Sequence, residues 1–353
     1  MCFSTTVATG LLGKNLKRKS EVAEPVKVNE EQCQALGRVL AGYSFRDDFY
    51  QRPFLSLPFS PEEKARMYFF SVGICHQTWH LAHPAANLYG WDYLEDGFIR
   101  IFREGSWLSD PVSISRATQQ SIAEGLGSYF IPDTASVSTL DRIEERAALY
   151  HDMASKLVHN YNGKMLNFLV LSGGRVGCDG GFYQLLSIFE AYSDPLYKKT
   201  SFLLKLLTDA SLFSVDDPEN LIPVMDYHMQ RVLLRSGAVE VLDPTLREAL
   251  VKRRELPSDT FIREACINAS KLVAASAGRG VLQMNDVLYM MGRSCCFELP
   301  LCSSGRCAKQ PCSLTRTLQL ENHHFCIFSG VCRGALLAEY RQLWNPVVRT
   351  HYY

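Results

Sequence analysis

The stretch that decides the fold runs from residue 197 to residue 239 and reads YKKTSFLLKLLTDASLFSVDDPENLIPVMDYHMQRVLLRSGAV. Residues 201–210 are rich in Leu and Phe, which is typical of a buried helix. Helical spacing resumes over residues 226–235, and Gly237 suits the end of that helix. The stretch therefore predicts two helices joined by an acidic loop, with Asp226 at the N-cap of the second helix.

The same helical period recurs through most of the chain. Apolar residues follow one another at three- and four-residue spacing over residues 140–161, 260–275 and 285–292. Two-residue alternation is scarce, and residues 97–102 and 239–242 are the only strand candidates. We therefore expect an all-α fold.

Composition divides the chain into three regions. Residues 1–34 begin with a basic tract and predict a flexible N-terminal arm. Residues 35–294 carry the helical pattern and predict a helical domain of two lobes with a cleft between them. Residues 295–353 contain seven of the twelve cysteines. They predict a Cys-rich C-terminal segment, either an appendage or a loop held by a metal.

The charge balance limits the classes of function. The 353 residues include 37 Lys and Arg and 37 Asp and Glu, so the formal net charge is zero. A protein held on nucleic acid mainly by phosphate neutralisation is usually basic, so the balance argues against one, although a local basic groove stays open. Because no run of about 18 uncharged apolar residues occurs and no secretory signal opens the chain, we expect a cytoplasmic protein with no membrane partner. A nuclear or organellar location is the alternative.

Three charged side chains in the quoted stretch are candidates for chemistry. Asp226 at a helix N-cap satisfies free amides and lies against the positive end of the helix dipole, which is a complete structural role. At a cleft, the same carboxylate would stabilise a sugar cation or activate water during cleavage of a glycosidic bond. Lys198 and Lys199 open the preceding helix, where an amine can anchor phosphate or, when desolvated, act as a nucleophile.

Two segments resemble helix-hairpin-helix base-excision glycosylases, and among these their residues are most similar to those of the archaeal 8-oxoguanine glycosylases. The first is Lys199-Thr200 followed by a buried helix and residues 222–228, IPVMDYH. The second is residues 284–293, MNDVLYMMGR, which resemble a late helix ending in Gly-Arg. Enzymes of this group cleave a base–sugar bond, and in the lyase members the Lys forms a Schiff base with the sugar.

A second resemblance covers more of the chain. Residues 35–275 are collinear with the queuosine salvage family, nucleotide N-glycosidases built on a related helical core. The similar segments are Tyr93-Leu94, residues 103–105, residues 143–146, Tyr197-Lys198-Lys199, Asp226-Tyr227 and Tyr352-Tyr353. The resemblance implies a helix-hairpin-helix DNA-glycosylase-like core with an N-terminal helical extension and a Cys-rich C-terminal segment.

The resemblance also implies roles for the charged residues. Asp226 would stabilise the transition state or position water, and we expect Lys199 to complete the catalytic pair if the chemistry is lyase-like. Lys198 or Lys199 would contact a substrate phosphate. Tyr227 and His228 follow Asp226 as candidate substrate contacts, although His228 is also typical of a helix surface or core residue.

The segment expected to hold the base departs from the family pattern. Where the salvage family has Asn-Phe-aromatic-Trp, this chain reads Cys-His-Gln-Thr-Trp over residues 75–79. Trp79 would stack on a heterocycle and Gln77 would recognise its edge by hydrogen bonds. The alternative for Trp79 is an ordinary core residue.

The cysteines after residue 293 predict a structural metal site. Cys295, Cys302, Cys307 and Cys312 are separated by six, four and four residues. Endonuclease III-type glycosylases carry a 4Fe–4S loop at this place with a similar but not identical spacing. Four thiolates suit a 4Fe–4S cluster or zinc equally well, and unligated thiols are the third alternative. We expect no cofactor for catalysis.

Three functions remain open from the sequence. The first is an N-glycosidase that hydrolyses the base–sugar bond of a small-molecule nucleotide of the 7-deazaguanine, queuosine type for base salvage. The second is a helix-hairpin-helix DNA glycosylase of the 8-oxoguanine type, with or without lyase activity, for which a basic face would be needed. Candidates for that face are Lys252, Arg253, Arg254, Arg306 and Lys309. The third is a catalytically inactive nucleic-acid-binding or scaffold protein.

Overall fold

The computed structural model describes residues 24–46, 53–307, 312–320 and 324–353. Over these residues the protein is all-α, as predicted, with eighteen α-helices and four short strands. The helices are α1 (Glu30–Ala41), α2 (Pro53–Ser56), α3 (Pro61–Gly73), α4 (Trp91–Arg103), α5 (Pro111–Arg116), α6 (Gln119–Ser128), α7 (Ile143–Tyr161), α8 (Met165–Ser172), α9 (Phe182–Leu186), α10 (Lys198–Asp209), α11 (Tyr227–Ser236), α12 (Pro244–Val251), α13 (Thr260–Ser276), α14 (Val281–Arg293), α15 (Leu301–Ser304), α16 (Ser313–Thr317), α17 (Arg333–Leu336) and α18 (Ala338–Arg341). The strands are β1 (Val26–Val28), β2 (Ala82–His83), β3 (Leu88–Tyr89) and β4 (Val239–Val241).

The quoted stretch forms the two predicted helices, α10 and α11. Asp226 caps α11, because its side chain accepts a hydrogen bond from the Met229 amide. Gly237 ends α11 with a φ of 81°, a left-handed conformation that glycine adopts without a steric penalty. The helices predicted near residues 140–161, 260–275 and 285–292 are α7, α13 and α14.

One strand prediction was wrong and the other is confirmed. Residues 97–102 lie within α4, where Phe98, Ile101 and Phe102 are buried at three- and four-residue spacing. The candidate at residues 239–242 is β4, which pairs antiparallel with β1 through Val26 and Val241.

The predicted flexible arm extends too far into the chain. Its last residues include β1 and the start of α1, whose N-cap Asn29 accepts a hydrogen bond from the Gln32 amide. Cys33, Leu36 and Leu40 of α1 are buried against α13. Residues 1–23 of that prediction lie outside the described residues.

The buried apolar side chains form two cores. The first lobe spans residues 54–207 and includes α3, α4 and α7. The second lobe combines residues 26–45 with residues 225–343 and includes α11, α13 and α14. Leu314, Phe328 and Leu343 belong to the second core, so the segment 295–353 is packed into this lobe and is not an appendage.

A buried ion pair joins the two lobes. Asp194 lies within the first lobe, just before α10, and Arg263 lies on α13 in the second lobe. The Arg263 guanidinium donates to both carboxylate oxygens of Asp194, at 2.6 Å and 3.1 Å. The same carboxylate accepts hydrogen bonds from the amides of Leu196, at 3.0 Å, and Lys198, at 2.8 Å. The pair therefore fixes the start of α10 as well as the contact between the lobes.

We expect Asp194→Asn to lower the free energy of unfolding by about 3 kcal/mol, because it leaves the buried Arg263 charge without its counter-ion. Asp96→Asn is the matched control, since Asp96 pairs with Arg100 at 3.0 Å on the surface, where removal costs less than about 1 kcal/mol. Urea unfolding measures both values. Equal effects of the two substitutions would contradict the role given to Asp194.

Candidate functional site

A cavity of about 670 Å³ lies between the two lobes. Aromatic side chains form much of its lining: Trp79, Tyr89, Trp91, Phe202, Tyr227, Tyr289, Phe297, Trp344 and Tyr353. The charged side chains of the lining are Lys198, Lys205, Asp226, Arg231, Asp286 and Arg293. A concave, mainly aromatic cavity of this size with a few convergent polar groups suits a ligand that contains a planar ring.

Asp226 is one of two buried carboxylates in the cavity lining, and the other is Asp286. Asp226 occupies the N-cap of α11, and its Oδ1 accepts from the Met229 amide at 3.0 Å. Burial raises the pKa of Asp226 above that of an ordinary aspartate, although the Lys198 charge and the Met229 amide act in the opposite direction. The cap explains how Asp226 is held in place, and its position in the cavity lining makes it available to a ligand.

Lys198 lines the cavity, and Lys199 does not. The Lys198 Nζ lies 3.7 Å from the Cys75 Sγ and 5.5 Å from the centre of the Phe202 ring. The Lys199 Nζ instead donates to the Gly73 carbonyl inside the first lobe. This corrects the predicted pairing of Asp226 with Lys199, because successive helical residues point about 100° apart.

Burial strongly lowers the pKa of Lys199, the lysine that does not line the cavity. Lys199 is fully buried, and this desolvation lowers its pKa to about 7. Its Nζ lies 3.4 Å from the His76 Nδ1. The perturbed amine therefore belongs to the interior of the first lobe.

Trp79, Tyr227 and His228 all line the cavity, as expected of substrate contacts. Trp79 is 54% exposed, so the alternative of an ordinary core residue is wrong. Its ring meets that of Tyr227 edge-on with centres 6.1 Å apart. The His228 Nδ1 lies 3.0 Å from an Arg231 nitrogen, which holds the imidazole beside α14.

Gln77 lines the cavity and also holds the C-terminal segment beside it. Its Nε2 donates to the Val348 carbonyl at 2.6 Å, and its Oε1 accepts from Arg142 at 2.6 Å. One N–H and one lone pair of the amide are not used by these two bonds, and recognition of a base by Gln77 stays a prediction.

Sequence reasoning missed two parts of the lining. One is a face of α14 with Asn285, Tyr289 and Arg293 at four-residue spacing. This spacing could have been found, since polar residues interrupt an otherwise apolar helix. The other is the C-terminal run from Trp344 to Val348, which carries no local signal because only long-range contacts bring it to the cavity.

Arg231 supports this C-terminal run from inside the second lobe. Its guanidinium carbon lies 4.4 Å from the centre of the Trp344 ring, and Nη1 donates to the Asn345 Oδ1 at 2.6 Å. A second amino group of Arg231 donates to the Gly292 carbonyl at 2.6 Å. Arg231 therefore links α11, α14 and the C-terminal wall.

Three of the four predicted metal ligands come together. The sulfurs of Cys295, Cys307 and Cys312 all lie within 4.8 Å of one another, and all three residues are buried. The sulfurs of Cys295 and Cys312 are 3.6 Å apart. This group could hold a metal ion. Cys302 is not part of it and lines a second, smaller cavity, which corrects the predicted set of four.

In the described part of the chain, most of the basic side chains predicted to form a DNA-binding face are paired with acidic side chains. Lys252 and Arg254 both pair with Glu248, and Arg253 pairs with Glu298. Lys309 lies outside the described residues. Glu248 and Glu298 offset two of the four charges of Lys252, Arg253, Arg254 and Arg306, so the described part of this face keeps only a small positive excess for a DNA backbone.

No protein-family model matches the chain, and no curated protein matches its sequence. Within the described ranges, none of the helices has both the length and the apolar character needed to cross a membrane.

Proposed function

We propose that this protein is an N-glycosidase that hydrolyses the base–sugar bond of a modified nucleotide of the 7-deazaguanine, queuosine type. The observation that carries the proposal is the buried carboxylate of Asp226 in the lining of an aromatic cavity of about 670 Å³. The second buried carboxylate of the lining, Asp286, pairs with the Lys205 ammonium at 3.1 Å. Cleavage of an N-glycosidic bond develops positive charge on the sugar, and a carboxylate at that point stabilises it.

The lining residues fit the steps of such a hydrolysis. The C1′–N bond breaks with its electron pair going to the base, and the oxygen of a water molecule adds to C1′. Asp226 faces the sugar cation and accepts the proton released by the water. That proton then passes to the departing base, so the carboxylate of Asp226 is regenerated. Trp79 and Tyr227 offer ring surfaces to the base, and the Lys198 ammonium offers a contact for the phosphate.

The surroundings of the cavity favour a free nucleotide over duplex DNA. The C-terminal segment forms one wall, with Trp344 and Val348 in the lining. Arg253 and Arg254 are paired with acids, so they do not form a continuous basic track. The formal net charge of zero agrees with a substrate that carries few phosphates.

We expect the purified protein to release free base from queuosine 5′-phosphate, and Asp226→Asn to slow release by about 10²- to 10⁴-fold because it removes the charge and keeps the shape. Asp243→Asn is the matched control. Asp243 also caps a helix, accepting from the Leu246 amide at 3.0 Å, but it does not line the cavity. Chromatography of the released base measures the rate.

Two other results would contradict this proposal. Release only from duplexes with 8-oxoguanine, with a borohydride-trapped adduct lost in Lys199→Ala, would indicate a DNA glycosylase with lyase activity. No release from either substrate would favour a catalytically inactive binding protein.

The acid limb of kcat/KM should lie at a higher pH than an ordinary aspartate would give, because burial raises the pKa of Asp226 and the reaction needs its carboxylate form. The Lys198 charge lowers that pKa. Lys198→Met should therefore move the acid limb to still higher pH, whereas Lys198→Arg should leave it near the wild-type position. A pH–rate profile of the three proteins measures the shift, and an unmoved limb in Lys198→Met would exclude Asp226 as the titrating group.

We also propose that Cys295, Cys307 and Cys312 hold one zinc ion. Thiolates on a tetrahedral zinc lie about 2.3 Å from the metal, and therefore about 3.8 Å from one another. The 3.6 Å separation of Cys295 and Cys312 matches this geometry. In a 4Fe–4S cluster each thiolate binds a different iron, which requires wider separations.

Metal analysis of the purified chain should find about one zinc per molecule, and Cys307→Ala should lose it because three thiolates become two. Cys266→Ala is the control, since Cys266 is a buried thiol of the same lobe outside the group. A zinc content that survives Cys307→Ala, or a chain that contains no zinc, would refute this assignment.

A further inference from the structure

The cavity lining contains a second buried carboxylate, Asp286, which the steps of the proposed hydrolysis do not use. Its Oδ2 lies 3.1 Å from the Lys205 Nζ, and the same ammonium lies 2.9 Å from the Asp209 Oδ2. Asp209 belongs to the same helix as Lys205 but does not line the cavity. Two carboxylates therefore share one ammonium, and the carboxylate in the lining belongs to a group with one negative charge in excess.

The two buried carboxylates of the lining lie near different ends of one face of α10. Lys198, Phe202 and Lys205 form this face, and all three line the cavity. Seven residues of an α-helix rise by about 10 Å, which separates the positions of Lys198 and Lys205 along the helix axis. The Lys198 charge acts on Asp226, whereas Lys205 pairs with Asp286. Asp226 therefore belongs to the Lys198 end of the cavity and Asp286 to the Lys205 end.

The backbone beside Asp286 is fixed to the segment that carries Asp226. Asn285 precedes Asp286 on α14, and its Oδ1 accepts from the Val224 amide at 2.8 Å. Val224 lies two residues before Asp226 and also lines the cavity. One buried hydrogen bond thus connects the segments of the two carboxylates, which limits changes in the distance between them.

A carboxylate at the edge of a ring-binding cavity selects rings by their hydrogen-bond donors. The ionised carboxylate of an ion pair only accepts hydrogen bonds, and its two oxygens can accept from two adjacent N–H groups. A guanine-type ring has a ring N–H beside an exocyclic amino group, so it offers two such donors on one edge. An adenine-type ring has an unprotonated nitrogen in place of that N–H, and its lone pair would face the carboxylate.

We infer that Asp286 determines the base specificity of the cavity by accepting the ring N–H and the exocyclic amino N–H of a guanine-type base. The phosphate would lie at Lys198, the sugar at Asp226 and the far edge of the ring at Asp286. This is the order in which the three groups occur in a nucleotide. The inference rests on the proposed function for this order, and it adds the residue that recognises the ring.

The test is isothermal titration calorimetry of the full chain with the free bases 7-deazaguanine, 7-deazahypoxanthine and 7-deazaadenine. A free base needs no hydrolysis, so its binding is measured independently of glycosidase activity. The wild-type chain should bind 7-deazaguanine about 10- to 100-fold more tightly than 7-deazahypoxanthine, which lacks the amino group and so loses one hydrogen bond to a charged acceptor. The base 7-deazaadenine should bind most weakly.

Asp286→Asn should weaken binding of 7-deazaguanine by about 10- to 100-fold and remove the preference for the guanine-type ring, because one accepting oxygen becomes a donor. Asp209→Asn is the matched control. It also removes a carboxylate from the Lys205 ammonium, but it leaves the cavity lining unchanged and should keep the wild-type order of affinities. Circular dichroism establishes that each variant is folded.

A fourth ligand tests the wild-type chain without a substitution. In 1-methyl-7-deazaguanine a methyl group replaces the hydrogen of the ring N–H, so this base should bind no more tightly than 7-deazaadenine. This measurement decides the matter if Asp286→Asn does not fold. Binding of the methylated base as tight as that of 7-deazaguanine would overturn the inference.

Four further results would overturn it. They are no binding of any base to the wild-type chain, equal affinities for the first three bases, an unchanged preference in folded Asp286→Asn, and an equal loss of affinity for all three bases in that variant. The last would indicate a structural role for Asp286. A guanine preference without release of base from queuosine 5′-phosphate would support the inference and contradict the proposed glycosidase, so the two failures are distinguishable.

Discussion

The arrangement of the cavity depends on the buried ion pair between Asp194 and Arg263. Asp194 accepts two hydrogen bonds from Arg263 and another from the Lys198 amide, so it sets the position where α10 begins. On the other side, the Arg263 guanidinium lies 4.6 Å from the centre of the Tyr353 ring. One pair of charges thereby positions a lysine from the first lobe and an aromatic wall from the second. Because both charges are desolvated, neither has an alternative partner in water, and the contact specifies one geometry.

The fold was predictable from the sequence where the spacing of apolar residues agrees with the residues that begin and end a helix. The buried face of α10, the N-cap of α11 and its terminal glycine are all local features, and the structure has each of them. The failures have physical reasons as well. Residues 97–102 alternate over too short a run to separate a strand from a helix. The strand β1 forms only because Val239–Val241, more than two hundred residues away, supplies its partner.

The residues of the candidate site were likewise predictable only where they belong to local sequence motifs. Asp226 could be placed because an N-cap is a local motif, and Trp79 because an aromatic residue in a polar stretch stands out. The choice between Lys198 and Lys199 could not be made, since it depends on which face of α10 meets the cavity. The hydrogen bonds of Gln77 and the position of Cys302 could not be predicted for a related reason. Their partners, the Val348 carbonyl and a second group of thiols, are brought to them by the tertiary fold.

The cavity lining contains Asp226, a carboxylate whose charged form is destabilised by burial. A buried aspartate without a strong counter-ion is destabilised in its charged form, and burial raises its pKa. The Met229 amide and the helix dipole lower that cost, while the nearby Lys198 charge lowers it further. A carboxylate held partly desolvated is a poor cap but a strong ligand for a developing cation, because the same low dielectric strengthens their attraction. An ordinary cap such as Asp243, on the surface, would achieve the structural purpose alone. The burial of Asp226 is therefore a feature that the proposed hydrolysis requires and that capping α11 does not.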